Sequence, residues 1–104
     1  MTAKPAPVIM LPTNMIPAVC RDMADTAGLL VLTPSIDEGQ VRRLSETLAR
    51  WAEVTRSAGR ISAMIAEQAL ALTFRSRLSH AEMGELARWM IRRAADLRGQ
   101  GGAA

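Results

Sequence analysis

The sequence predicts a mainly α-helical protein: a small bundle of three to four helices with an extended apolar N-terminal arm. It also leaves room for one or two very short strands. Apolar residues recur at helical spacing over most of the chain, and a strong helix-start signal stands at Ser79–Glu82. Aromatic residues make up only 3% of the 104 residues, so the core must be aliphatic and methionine-rich. We predict one domain at 8–98, between flexible tails at 1–7 and 99–104.

The predicted arm, residues 8–17, reads VIMLPTNMIP and carries no charge. An apolar segment is unusual near a free N-terminus, where polar and poorly ordered residues are the norm. We therefore expect the arm to bury itself, either on its own bundle or on a second copy, and we favour the second copy. VIML at 8–11 and LLVL at 29–32 are the candidates for short strands.

The first two helices are expected at about 14–27 and 35–58. Gly28 is a plausible terminator of the first helix. Thr33 with Pro34 at the first helical position, or Ser35 with Glu38 three residues later, would cap the second helix. The second helix then shows apolar and small residues at alternating spacings of three and four, which is typical of an amphipathic seam. These residues are Val41, Leu44, Leu48, Trp51, Thr55 and Ala58.

The third helix, at about 60–77, is apolar on two nearly opposite faces. Ile61 and Ile65 mark one face, and Leu70 and Phe74 mark the other. Such a helix needs cover on both sides, which a monomer of this size supplies incompletely. We therefore predict a homodimer. The dimerisation residues are expected to be Val8, Ile9, Met10, Leu11, Ile16, Leu70 and Phe74. We find no internal repeat in the sequence itself.

The fourth helix, at about 79–98, has the clearest local signals. Ser79 and Glu82 form a capping box, and Leu78 with Met83 can form a hydrophobic staple. The inner stripe is predicted to contain Met83, Leu86, Ala87, Met90, Ala94 and Leu97. Trp89 lies about 120° from this stripe at 100° per residue. It is therefore either an interface anchor or a side chain covered by another part of the same subunit.

Catalytic chemistry finds little support in the sequence. His80 is the only histidine, with no nucleophile or carboxylate predicted to converge on it. Cys20, the only cysteine, falls on an apolar helix face and is predicted to be a buried structural thiol. No metal-ligand cluster, phosphate-binding loop or nucleophile elbow appears. We predict no enzyme, no cofactor and no metal.

Two features bear on location. A lone cysteine fits a reducing compartment. The sequence shows neither a signal peptide nor an apolar helical segment long enough to span a bilayer. We therefore predict a cytoplasmic protein that does not bind membranes.

The positive charge lies at the C-terminal end. Residues 1–74 are balanced, whereas residues 75–104 contain six arginines against three carboxylates and so hold the whole net charge of +3. We expect Glu85 to pair with Arg88 and Arg92 to pair with Asp96. Such a modest basic end can steer an acidic partner, but it falls short of the patch typical of a nucleic-acid binder.

These features predict a non-enzymatic adaptor or regulator, a helical homodimer that inhibits or scaffolds a partner protein. The partner-binding residues are expected to be Trp89, Arg88, Arg92 and Arg93, because tryptophan and arginine are enriched in interface anchors. The alternative is a small DNA-binding regulator that uses the C-terminal arginines. No recognition strand supports it, since VIML is apolar and flanked by prolines. No helix-turn-helix supports it either, since no short turn and recognition helix follow LSHAEMGELARWM. Small size and high alanine and arginine content point to a bacterial, phage or plasmid accessory protein.

Overall fold

The protein is mainly helical, as predicted. The structure, a computed structural model, describes the backbone of residues 11–103 and the side chains of residues 15–99. Its elements are α1 (Leu11–Val31), α2 (Glu38–Val54), a 3-10 turn (Arg56–Ala58), α3 (Arg60–Leu72) and α4 (His80–Ala103). No strand forms within residues 11–103. The two linkers meet instead at an isolated antiparallel bridge between Ile36 and Leu78.

Helix α1 is longer than predicted at both ends. Leu11–Pro17 of the predicted arm lie in α1, and residues 8–10 lie outside the described residues. The segment 29–32 is not a strand, because α1 continues to Val31. Gly28 does not end the helix, because burial of Leu30 against the core outweighs the cost of about 1 kcal/mol for a helical glycine.

The bridge sets where the central helices begin and end. Residues 36 and 78 must be extended to exchange backbone hydrogen bonds, each 3.2 Å long. Helix α3 therefore ends at Leu72, before the predicted residue 77, and α2 begins only at Glu38. Asp37, rather than an earlier residue, caps α2. Its side chain accepts from the backbone N–H of Gln40, and the Gln40 side chain accepts from the backbone of Asp37.

The predicted cap of α4 is confirmed. Ser79 Oγ accepts a hydrogen bond from the Glu82 backbone N–H at 3.2 Å, and Glu82 Oε1 accepts one from the Ser79 backbone N–H at 2.9 Å. The staple residues Leu78 and Met83 are both buried. Helix α4 continues to Ala103 instead of ending at residue 98. Each added residue extends a helix that the buried Leu97 already anchors.

The first half of the chain (α1 and α2) packs antiparallel on the second half (α3 and α4), and one residue register holds throughout. Four contacts define it: Cys20 Sγ donates to the Ala94 carbonyl (3.4 Å), Ser45 Oγ to Ala69 (2.8 Å), Ser62 Oγ to Ala52 (2.7 Å), and Ile36 pairs with Leu78. In every pair the two residue numbers add to 114. Helix α1 therefore packs on α4 and α2 on α3, with the 3-10 turn at the tip.

The burial pattern reveals an internal repeat that the residue types conceal. Every buried residue between 19 and 55, except Trp51, has a buried counterpart 42 positions later. The pairs are Val19–Ile61, Cys20–Ser62, Met23–Ile65, Ala27–Ala69, Leu30–Leu72, Ile36–Leu78, Val41–Met83, Leu44–Leu86, Ser45–Ala87, Leu48–Met90, Ala52–Ala94 and Thr55–Leu97. Few of them share a residue type, which explains why the repeat is hidden in the sequence. Ile36 is bridged to its own counterpart, so an approximate two-fold axis lies at the bridge.

The core is aliphatic and methionine-rich, as predicted. Met23, Met83 and Met90 are completely buried, and methionine fills irregular gaps well. Within the described residues, no helix is both long and apolar enough to cross a membrane.

Candidate functional site

A cleft of about 540 Å³ lies between the C-terminal end of α3 and the first half of α4. Its lining residues are Gln68, Ala71, Leu72, Arg75, Leu78, Glu82, Glu85, Leu86, Arg88, Trp89 and Arg92. Leu72, Leu78 and Leu86 are buried and form an apolar floor. The cleft thus combines an apolar floor with a rim of charged side chains.

Helix geometry brings the α4 residues of the cleft together. Glu85, Trp89 and Arg92 are spaced four and three residues apart, which places them on one face of α4. Trp89 is half-buried and packs against the core. It is therefore neither a free surface side chain nor a fully enclosed one, and part of it is open to the cleft.

Arg93 supports Trp89 from outside the cleft. Its guanidinium carbon lies 5.8 Å from the centroid of the Trp89 ring, within the range of a cation–π contact. Arg93 Nε also donates to Asp96 Oδ2 at 2.9 Å, and only 15% of the Arg93 side chain is exposed. The expected Arg92–Asp96 pair is therefore wrong, because Arg93 holds Asp96. Arg93 fixes the ring and does not belong to the cleft lining.

Arg88 and Arg92 stay available at the rim. Both side chains are exposed, and neither forms an ion pair among the described residues. The expected pairing of Glu85 with Arg88 is likewise not formed. The cleft therefore offers two cations beside a tryptophan ring, with Glu85 as the nearby acid on the same helix.

An ion pair closes one end of the cleft. Arg75, just after α3, donates to Glu82 in the first turn of α4. The backbone N–H of Ser79 and then the Arg75 guanidinium stabilise the ionised carboxylate, and together they lower the pKa of Glu82. Arg75 is therefore already paired with Glu82. Among the described side chains, the cleft cations without an ion-pair partner are Arg88 and Arg92.

The two candidate reactive groups lie outside the cleft. His80 is exposed, with Nδ1 3.2 Å from the Thr33 carbonyl oxygen. Cys20 is buried, as predicted, and burial raises the pKa of its thiol against a weaker opposing effect of Arg98. No group of three histidine, cysteine or acidic side chains that could hold a metal occurs within the described part of the chain.

The predicted dimerisation residues fall into three groups. Val8, Ile9, Met10 and the Leu11 side chain lie outside the described residues. Ile16 is half-buried against the core of its own chain. Leu70 on α3 and Phe74 just after α3 are 61% and 80% exposed, so the described part of this chain does not cover them.

Leu70 also borders a groove of about 520 Å³ between α2 and α3. Alanines line much of this groove, including Ala49, Ala63 and Ala66.

A second exposed apolar cluster, which the sequence did not predict, lies at the end of α1. Leu29, Val31 and Leu32 are exposed there, Leu32 to 80%. The run LLVL was predicted as a candidate strand, whereas Leu29 and Val31 are exposed on the last turn of α1 and Leu32 is exposed just after it. Leu32 is the counterpart of Phe74 at the 42-residue offset, so both halves expose an apolar side chain at the same place.

Residues 11–103 thus form four helices in two similar helix–linker–helix halves, and the tryptophan cleft lies in the second half. No protein-family model, curated protein or solved structure matches the chain.

Proposed function

We propose that this protein is a non-enzymatic adaptor or regulator that binds a partner protein through the cleft around Trp89. One observation carries the proposal: a half-buried tryptophan stands beside two exposed arginines that have no ion-pair partner among the described side chains. Tryptophan and arginine are enriched among the few residues that carry most of the binding energy of protein interfaces.

The cleft suggests how the partner is held. An apolar side chain of the partner contacts the open part of Trp89 and the leucine floor, while acidic groups approach Arg88 and Arg92. Arg93 is already committed to Trp89 and Asp96, so the ring is oriented before the partner arrives. Such preorganisation lowers the entropic cost of binding. The protein acts by occluding or scaffolding its partner in the cytoplasm, a location supported by its single free cysteine.

Trp89→Ala tests the proposal against a matched control, Thr47→Ala. Thr47 occupies the counterpart position in the first half and is also half-buried. Each tagged variant is used to capture partners from the native host, and the partner identified with wild type is then titrated against both variants. We expect Trp89→Ala to weaken binding about thirtyfold or more, with unchanged helical circular dichroism, and Thr47→Ala to bind as wild type.

Equal binding by the two variants would refute the site. Should Trp89→Ala unfold the protein, the exposed pair Arg88→Ala plus Arg92→Ala provides the second test. For a protein partner, this change should mainly slow association, with a modest salt effect.

DNA binding through the same arginines is the alternative. It is supported by the exposure of Arg75, Arg77, Arg88, Arg92 and Arg98 in the C-terminal third. For DNA, Arg88→Ala plus Arg92→Ala should weaken binding to all sequences and flatten the salt slope by about two units. A base-independent loss with this slope change would favour the alternative over the adaptor.

We also propose that the protein works as a homodimer, because Leu70 on α3 and Phe74 just after α3 remain exposed. Monomeric proteins rarely expose large apolar clusters without an interaction to serve. Sedimentation equilibrium should give twice the chain mass of 11.2 kDa. The double change Leu70→Ser plus Phe74→Ser should weaken the dimer, whereas Ile91→Ser, at an exposed apolar position on α4, should not. A wild-type mass of 11.2 kDa at high concentration would contradict the dimer.

A further inference from the structure

Helices α2 and α3 carry one buried seam that the turn between them does not interrupt. The seam consists of Val41, Leu44, Leu48, Trp51, Thr55, Ala58, Ser62, Ile65, Ala69 and Leu72, all buried. Their spacings alternate between three and four through the whole run, including the 3-10 turn. This is the pattern of a single continuous helix with one buried face. The turn breaks the helix without breaking the periodicity.

The turn depends on the backbone of Gly59. Its φ is 57° and its ψ is −107°, a conformation that other residues rarely adopt. No neighbouring atom lies within 4 Å of the place where a Cβ would stand, so packing does not require glycine here. Residues 55–60 contain no proline. Residue types in this segment therefore permit a helical conformation as well as the turn.

The contacts between the two halves would survive straightening of the turn. The four contacts that define the register each join a residue of one half to a residue of the other half, and the two residue numbers add to 114. A second copy presents the same residues in the same order. The first half of one chain can therefore pair with the second half of another chain in the register that it uses within its own chain. Exchange of identical elements is a recognised route to dimers.

We propose that a second copy of this chain binds by exchanging halves. Residues 38–72 then form one helix of roughly 52 Å, antiparallel to the same helix of the second copy. Helix α1 of each copy packs on α4 of the other, and the Cys20–Ala94 and Ser62–Ala52 hydrogen bonds form between chains. This inference rests on the proposal that the protein is a homodimer, and not on burial of Leu70 and Phe74, and it names the segment that is exchanged.

Gly59→Ala is the first test, with Gly28→Ala as its matched control. Alanine disfavours the positive φ of the turn and favours a helix, so it destabilises the closed form and stabilises the straightened one. Each dimer contains two straightened turns. We expect alanine to favour each straightened turn about tenfold, which raises the association constant of the dimer about a hundredfold. Gly28 lies inside α1 with open space around it and no positive φ. Its replacement should leave the constant unchanged. Equal constants for the two variants would overturn the proposal.

The second test detects exchange directly. One chain carries Ala49→Cys and another Ala66→Cys, two exposed positions on the walls of the same α2–α3 groove. Both also carry Cys20→Ser, which removes the native thiol and places at residue 20 the residue type of its counterpart, Ser62. The chains are mixed, unfolded, refolded together and treated with a short bis-maleimide. Exchange predicts a covalent dimer containing both chains.

A chain that carries both cysteines shows whether the reagent can span the groove. If it cross-links within or between chains while the mixture yields no covalent dimer, exchange is overturned. If the sample still sediments as a dimer under those conditions, the homodimer forms through another surface. A monomer in every sample overturns the homodimer as well, whereas the Trp89 cleft is judged separately by the binding of its partner.

Discussion

The two halves of the molecule bury the same positions and expose different chemistry. Leu44 and Leu86 are buried counterparts, but around them the rim residues have diverged. Trp89 stands where the first half has Thr47, and Glu82 stands where it has Gln40. The buried face is shared because both halves must pack on each other, whereas an exposed side chain is free to change. At this pair of counterpart positions, the tryptophan of the cleft therefore occurs only in the second half.

The two halves also stabilise themselves with the same devices. In each half, the capping residue forms a capping box with the residue three positions later: Asp37 with Gln40 at α2, and Ser79 with Glu82 at α4. Cys20 and Ser62 each donate to a carbonyl of the facing helix. The similarity extends from burial to hydrogen bonds, so matched substitutions in the two halves test it.

The largest expected effect concerns the shared core. Leu44→Ala and Leu86→Ala should each lower the free energy of unfolding by about 2–5 kcal/mol, because each leaves a cavity at a buried position. Urea unfolding followed by circular dichroism measures both. Leu32→Ala is the control, since its side chain is 80% exposed, and its cost should be small. A value near zero for only one of the two core variants would break the equivalence of the halves.

The caps should give a smaller and again paired effect. Ser79→Ala and Asp37→Ala each remove a side-chain acceptor for a backbone N–H at a helix start, which costs about 1 kcal/mol. Ser35→Ala, at an exposed linker position outside both caps, provides the comparison in the same urea titrations. A change of only a few tenths at either cap would show that its helix is held at another residue.

The smallest expected effect is a difference between the two halves in how the capping box depends on pH. The pKa of Glu82 is lowered by the Ser79 backbone N–H and then by Arg75. Its contribution to stability is fully present above the unfolded pKa and is lost as the pH falls through the lowered folded pKa. Gln40, its counterpart, does not titrate. The midpoint temperature of thermal unfolding should therefore fall more steeply with decreasing pH for wild type than for Glu82→Gln. Parallel plots of midpoint against pH would contradict the role assigned to Arg75 and Ser79.

Local features of the chain are enough to predict much of the fold. The helical class, the Ser79–Glu82 capping box and the buried stripe of α4 follow from periodicity and from residues three or four apart, and the structure confirms them. Such signals involve neighbours on one helix, so they are legible without knowing what the helix packs against. The residue types of the cleft, Trp89 with Arg88 and Arg92, were also recognisable in this way.

Other features were decided only by tertiary structure. The end of α3 and the start of α2 depend on a bridge between Ile36 and Leu78, which are 42 residues apart. The repeat is hidden because packing constrains burial and volume more tightly than residue identity. Arg93 rather than Arg92 holds Asp96, and Trp89 is half-buried. Periodicity shows which residues share a face of a helix, but the partner of that face is set by contacts between distant parts of the chain.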